Sequence, residues 1–451
     1  MVCFYGCVGA LVEGQSWWAG SSSGRAPALD GEDGDRNLPG PPIGVRGILT
    51  NTAARPSLRF PRRLAAVPLV FAIAVMFGGV FFASAGVVGA STARVPTQPT
   101  PNGPVYLGVP GALPPGFAYA YDSLSRGWPV SPRAVQHPIR GSFIDPRGAD
   151  DNGLSGYHFG IDINVDDTRP EAGAPTGLSH RVYALDAGVA SMPASVQSRR
   201  CVNRRVEAGH FSYWHVSPTV PAGTRVRAGQ QIGWTCLGVW HVHLSEWQKY
   251  GGVRVWVDPL HHGGALLPYV DAAAPVVSQT LFVTPPAHPW LPVKSLKEPD
   301  TATSLPATGL HGLVELRVLA FDPQSFLGFL ARNPAWPTVW TPHKLSVEIR
   351  AQRGGRIVLR RTSFEADQMP QTPYLVHYAP GTVEDDNMQE CVGPPQLAKC
   401  DGVTWLRPLS RFRQEFWDTR KVANGDYRIT VRAGDIAGNV GAKTVAVTVK
   451  N

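Results

Sequence analysis

A chain of 451 residues is longer than one hydrophobic core usually serves, so more than one domain is expected. Hydrophobic content of 43% with 17% charged residues excludes a wholly disordered chain, and 48 Gly with 42 Pro favour short strands and turns over long helices. The net charge of +8 is not gathered into an Arg/Lys cluster interleaved with aromatics, which argues against a nucleic-acid partner and makes an anionic polymer the simpler counterpart.

Residues 1–58 are rich in Gly, Ser, Pro and acids, lack periodicity, and read as a disordered extension. Arg59, Arg62 and Arg63 then precede an uncharged apolar run over 64–90, long enough to span a bilayer. Basic residues on that flank place it in the cytoplasm and the remainder outside. Ala83-Ser-Ala85 also offers a small-residue cleavage site, so the run is either a transmembrane helix or an export signal. Either way the rest of the chain is exported, and an uncleaved run keeps it at the membrane. Residues 91–125, punctuated by seven prolines from Pro96 to Pro115, read as an extended linker.

Short strands and turns follow over 126–272, with candidate strands at Ile139 to Phe143, Val182 to Val189, Phe211 to Val216 and Trp240 to Leu244. Three histidine motifs lie among them: His158-Phe-Gly-Ile-Asp162, His210-Phe-Ser-Tyr-Trp-His215 and His241-Val-His243. Imidazole and carboxylate suit zinc, and two His with one Asp leave a fourth position open, as in a catalytic rather than a structural centre. In a strand, His241 and His243 face one cleft roughly 7 Å apart, so one would bind an ion and the other stand beside it. His158 and Asp162 would be ~13 Å apart in a straight strand, and Gly160 permits the bend that joins them. His215 is expected on a strand whose Phe211 and Tyr213 share its parity. His180, His261 and His262 read as loop or core residues, and so does His210, although it sits close enough to line the cleft.

These motifs resemble the lysostaphin/LytM-type zinc endopeptidases, which carry H-x-G-x-D, then a histidine in a Y-x-H-like context, then H-x-H. The resemblance covers roughly residues 138–272. It implies one zinc ion held by His158, Asp162 and His243, with His215 and His241 as catalytic histidines. It further implies hydrolysis of peptide bonds in bacterial peptidoglycan. A non-catalytic wall-binding or adaptor protein that keeps the fold is the alternative. The family follows H-x-H with an aromatic and Glu, whereas Leu244-Ser245-Glu246 puts the acid one place later.

From 275 to 451 several segments alternate apolar and polar residues, including Val314 to Ala320, Leu345 to Arg350, Tyr427 to Arg432 and Val445 to Val449. They indicate an antiparallel β-sandwich, and Asp435-Ile-Ala-Gly-Asn439 before the last strand resembles immunoglobulin-like surface modules. This sandwich would present the enzyme or bind a protein partner. The expected whole is mainly β: a lysostaphin-type antiparallel sheet domain, then the sandwich. Of the cysteines on the exported side, Cys201–Cys236 and Cys391–Cys400 are the economical disulfides.

Overall fold

The computed structural model describes residues 108–147, 156–192, 201–285, 300–328, 339–382 and 404–451. The N-terminal extension, the apolar run over 64–90 and the Cys391–Cys400 pair lie outside the described residues. The chain is mainly β, with no α-helix among the described residues. Everything described belongs to one compact unit, Ala90–Asn451.

The histidine-bearing half begins with β1 (Ile139–Gly141), β2 (Ile161–Asn164), β3 (Leu178–Tyr183) and β4 (Gly188–Val189). It continues with β5 (Arg205–Ala208), β6 (Phe211–Trp214), β7 (Val216–Pro218) and β8 (Arg225–Val226). β9 (Gln231–Cys236), β10 (His241–Tyr250) and β11 (Val253–Val257) complete it. Among the described residues the main sheet runs β1-β2-β10-β6-β5, with β11 also on β10; β3-β9-β7 and β4-β8 form smaller sheets.

β10 organises this half because its residues alternate. Val242 and Leu244 are fully buried on one face, where Ile161, Ile163, Phe211 and Tyr213 join them. Each such side chain contributes about 1.5–3 kcal/mol on burial, enough to hold the strand while its other face stays polar. The expected strand Val182 to Val189 is interrupted instead. After Tyr183 the backbone N–H groups leave the ladder: Ala184 donates to the Gln230 carbonyl, Leu185 to the Tyr213 hydroxyl and Ala187 to the Ser123 carbonyl.

The C-terminal half opens with β12 (Val276–Val283), β13 (Leu313–Pro323), β14 (Val339–Trp340), β15 (Lys344–Ala351) and β16 (Ile357–Glu365). β17 (Trp405–Leu406), β18 (Trp417–Asp418), β19 (Gly425–Gly434) and β20 (Val440–Val449) follow. One sheet gathers β12, β14, β17 and β18 around β13, and a second runs β16-β15-β19-β20. Tyr427, Ile429, Val431 and Ala433 alternate into the core as their sequence pattern requires.

The halves share a single hydrophobic cluster and a set of hydrogen bonds. The Trp340 indole donates to the Ile139 carbonyl, the Tyr378 hydroxyl to the Ile144 carbonyl, and the Thr341 N–H to Asp145 Oδ1. Residues 108–125, the end of the expected linker, also pack on this body: Glu365 and Gln368 donate backbone N–H groups to Pro110 and Gly111.

A buried charge lies between the halves. His343 Nε2 is 3.1 Å from Asp367 Oδ1, and Nδ1 makes a longer ion pair with Asp258 Oδ2 at 3.5 Å. Burial disfavours the imidazolium, but Asp258 and Asp367 outweigh it and raise the pKa from 6.5 to about 9. A folded-state value above the unfolded one means that the pair stabilises fully below pH 6.5 and is lost as pH rises through about 9. The melting temperature should therefore fall over that interval more steeply in the wild type than in His343→Gln, measured by calorimetry. Equal slopes would remove His343 as the cause.

Candidate metal centre

The site is built from strand register. β10 lies between β2 and β6, and His243 stands directly opposite Asp162 on one side and Trp214 on the other. Directly opposed residues project to the same face, so these three side chains form a row. His241, two residues earlier and opposite Asn164, shares that face.

His158 reaches the row from the turn before β2. Its N–H donates to the Asp145 carbonyl, and its own carbonyl accepts from the Ile144 N–H. Gly160 is required here, but for space rather than for a special backbone angle. A Cβ there would stand 2.4 Å from the Leu244 carbonyl oxygen and 2.8 Å from His243 Nε2. Gly141 is under the same constraint, since a Cβ would sit 2.8 Å from Asp162 Oδ2.

Three atoms converge. His158 Nε2 lies 2.8 Å from His243 Nδ1 and 3.3 Å from Asp162 Oδ1, and His243 Nδ1 lies 3.1 Å from the same oxygen. Ligands 2.0–2.1 Å from a tetrahedral ion stand roughly 3.3–3.4 Å apart, so the spacing is close to that of a ligand set. The chemistry of the atoms agrees. His158 Nδ1 is 2.8 Å from the Ser142 carbonyl, which can only accept, so the ring proton is there and Nε2 presents a lone pair. His243 Nε2 is held by Ser245 Oγ at 2.8 Å, leaving Nδ1 for the centre. Outer hydrogen bonds of this kind orient imidazoles that ligate a metal. The residues fit a divalent ion.

Charge is arranged to match. Burial works against ionising Asp162, but His158, His241 and Arg147 outweigh it and hold the carboxyl well below its usual range. Arg147 Nη2 donates to Asp162 Oδ2 at 2.7 Å, leaving Oδ1 to the histidines. Burial, then Arg147, pushes His158 down to about 3; burial pushes His215 down to about 4. Burial and Arg140 take His241 well below 6.5. Neutral imidazoles beside an ionised carboxylate are the protonation states that bind metal.

His241 and His215 stand beside the three. His241 Nε2 is 3.6 Å from Asp162 Oδ1, and its Nδ1 donates to the Val239 carbonyl at 2.7 Å. The His215 ring lies 4.5 Å from the His241 ring. His215 arrives by a route that alternation did not predict. β6 ends at Trp214, and Tyr213 points into the core, so a continued strand would bury His215 with it. Instead His215 takes φ 63°, a left-handed conformation uncommon outside glycine, and the turn brings it round to His241.

Two neighbours hold that turn. Cys236 N–H donates to the His215 carbonyl at 3.0 Å, and His215 Nδ1 donates to the Val202 carbonyl at 2.5 Å. Cys201 and Cys236 form the expected disulfide, so one cross-link fixes both anchors.

Sequence reasoning missed Arg147, Ser142, Val239, Val202 and Ser245. Ser245 alone left a signal, because it occupies the place where the resembled family has its acid. Glu246 is on the opposite face of β10, fully buried, bonded to Tyr121, Gln248 and His261, and takes no part in the site. His210 is partnered by Asp186 at 2.6 Å and packs on Trp247, while His180 meets Ser179. Neither joins the five.

Comparison with protein-family models, with curated proteins and with solved structures gives no match.

The group should take up about one divalent ion per chain in equilibrium dialysis against Zn²⁺, and His243→Ala should reduce that uptake at least tenfold. Unchanged uptake in the variant would remove the ligand assignment.

Proposed function

We propose that this chain is a zinc-dependent endopeptidase that hydrolyses peptide bonds in the cross-links or stem peptides of bacterial peptidoglycan. The observation that carries this reading is the convergence of His158 Nε2, Asp162 Oδ1 and His243 Nδ1, with two neutral imidazoles alongside. Two imidazoles and a carboxylate, without thiolate, suit a catalytic zinc. When bound, zinc supplies Lewis acidity that polarises a peptide carbonyl and acidifies water.

The chain's own residues do the rest. His158, Asp162 and His243 hold the ion, with Ser142, Ser245 and Arg147 fixing their orientation. Val239 and Val202 fix the Nδ1 protons of His241 and His215, so both rings offer Nε2. One accepts a proton from the attacking water, and a protonated ring then donates to the leaving amine or steadies the oxyanion. Phe159 and Trp214 pack around His243 and limit water there. Asn164, 1% exposed beside His241, has no hydrogen-bond partner for its side-chain amide among the described residues.

In this reading the fold is the lysostaphin/LytM-type sheet followed by an immunoglobulin-like sandwich. The apolar run over 64–90 exports the chain to the outer face of the membrane or the wall, and the basic charge favours anionic wall polymers.

His215→Ala and His241→Ala should keep the metal and the melting temperature of the wild type while hydrolysis of purified wall material falls ~10²–10⁴-fold, the scale of a positioned acid–base group. New termini are read by mass spectrometry. Zinc-loaded wild type that releases no new termini would instead make the chain a non-catalytic wall binder.

Replacing Cys201 and Cys236 by Ser together should lower kcat more than it raises KM, because the anchors of His215 loosen while the three ligands stay. Metal loss in this double variant would show that the disulfide supports the ligands instead.

A further inference from the structure

A second group of metal-ligating side chains lies away from the histidines. Asp271 belongs to the segment that leaves the histidine-bearing half, Asp322 to β13, and Asp435 to the turn between β19 and β20. One carboxylate oxygen from each lies within 4.8 Å of the other two. Asp435 has partners of its own, since the Asn439 N–H donates to Oδ1 and the Asn439 amide to Oδ2, each at 2.7 Å. Asp271 accepts from the Ala273 N–H and from the Tyr269 hydroxyl.

Asp322 is different. It is 4% exposed, and its Oδ1 has no hydrogen-bond partner among the described residues. Among the described residues, none of the three carboxylates makes an ion pair either. A buried carboxylate without a partner costs several kcal/mol, and two more carboxylates beside it raise that cost.

We propose that Asp271, Asp322 and Asp435 hold a Ca²⁺ ion that joins the segment leaving the histidine-bearing half to the C-terminal sheets. Three carboxylates without imidazole or thiolate form a hard oxygen site. Mg²⁺ retains several waters and demands a near-regular octahedron, whereas Asp322 and Asp435, 4% and 6% exposed, leave little room for water. Ca²⁺ accepts irregular oxygen sets and mono- or bidentate carboxylates. The Asn439 amide, which donates to the Asp271 carbonyl at 3.1 Å, already draws the segment to the turn. The ion would complete that junction. The alternative is a protonated Asp322: burial, then Asp271 and Asp435, push its carboxyl up to about 8, against the nearby His343.

The test follows melting of the full-length chain, stripped with EGTA and then given 5 mM CaCl₂, MgCl₂ or neither. Ca²⁺ should raise the melting temperature by about 2–4 °C, with a clearly smaller rise in Mg²⁺. Asp322→Asn keeps the shape and removes a charge, so in EGTA it should melt no lower than the wild type and should lose the Ca²⁺ response. Asp271→Asn, at the more exposed side of the group, should weaken the response as a second variant. His243→Ala should keep it, which separates this site from the first. No Ca²⁺ response in the wild type, or a full one in Asp322→Asn, overturns the proposal, and an equal Mg²⁺ response overturns the choice of ion.

Discussion

The antiparallel register of β10 between β2 and β6 is the constraint on which the centre depends. It sets His243 directly across from Asp162 and Trp214, and it follows from Val242 and Leu244 having only one face on which to be buried. A slip of one residue would turn both histidines of β10 into the core and bring Leu244 and Val242 out. The apolar half of the strand therefore aims the polar half. The ligand geometry comes from hydrophobic burial on the reverse of the sheet.

His158 is aimed differently, and from farther away. Its turn is closed by Asp145, which accepts from the Ser142 N–H and hydroxyl, and Ser142 in turn supplies the carbonyl that orients the His158 ring. The same Asp145 accepts from Thr341, and the adjacent Ile144 carbonyl accepts from Tyr378. Both donors belong to the C-terminal half. That half thus frames the hydrogen bonds that orient the His158 ring. An unsupported Asp145 would be a costly carboxylate, since burial already pushes it up to about 6 against Arg147 and its hydrogen bonds.

Polar burial is the recurring expense of this molecule, and the structure meets it in two ways. Glu246 Oε1 and His261 are partnered within the protein, with Tyr119 stacked on the His261 ring at 3.6 Å and Tyr121 donating to Glu246 Oε1 at 2.6 Å. The groups centred on Asp162 and on Asp322 instead gather electron pairs that face one another. Arrangements of that second kind gain most from a cation, because removing water from a carboxylate strengthens whatever charge is then placed beside it.

The amino-acid sequence by itself determined the β class, the alternating strands of the C-terminal half and the economical Cys201–Cys236 pairing, whereas the grouping of His158, Asp162 and His243 came from the resemblance of their motifs to a peptidase family. Alternation is local and needs only neighbours, and a set of motifs is legible when its residue types and order are distinctive. The same resemblance marked His215 and His241 as a pair, but strand parity gave the wrong path for His215. A left-handed residue after β6, held by Cys236 and Val202, depends on partners distant in the chain and leaves no periodic trace. Only the tertiary structure decided that Gly160 is there for the Leu244 carbonyl and the His243 ring, and that Glu246 faces away from the centre. The same holds for the three aspartates from separate segments that meet at one point. Each of these depends on which backbones come within a few ångströms of one another, and side-chain chemistry in one dimension does not contain that.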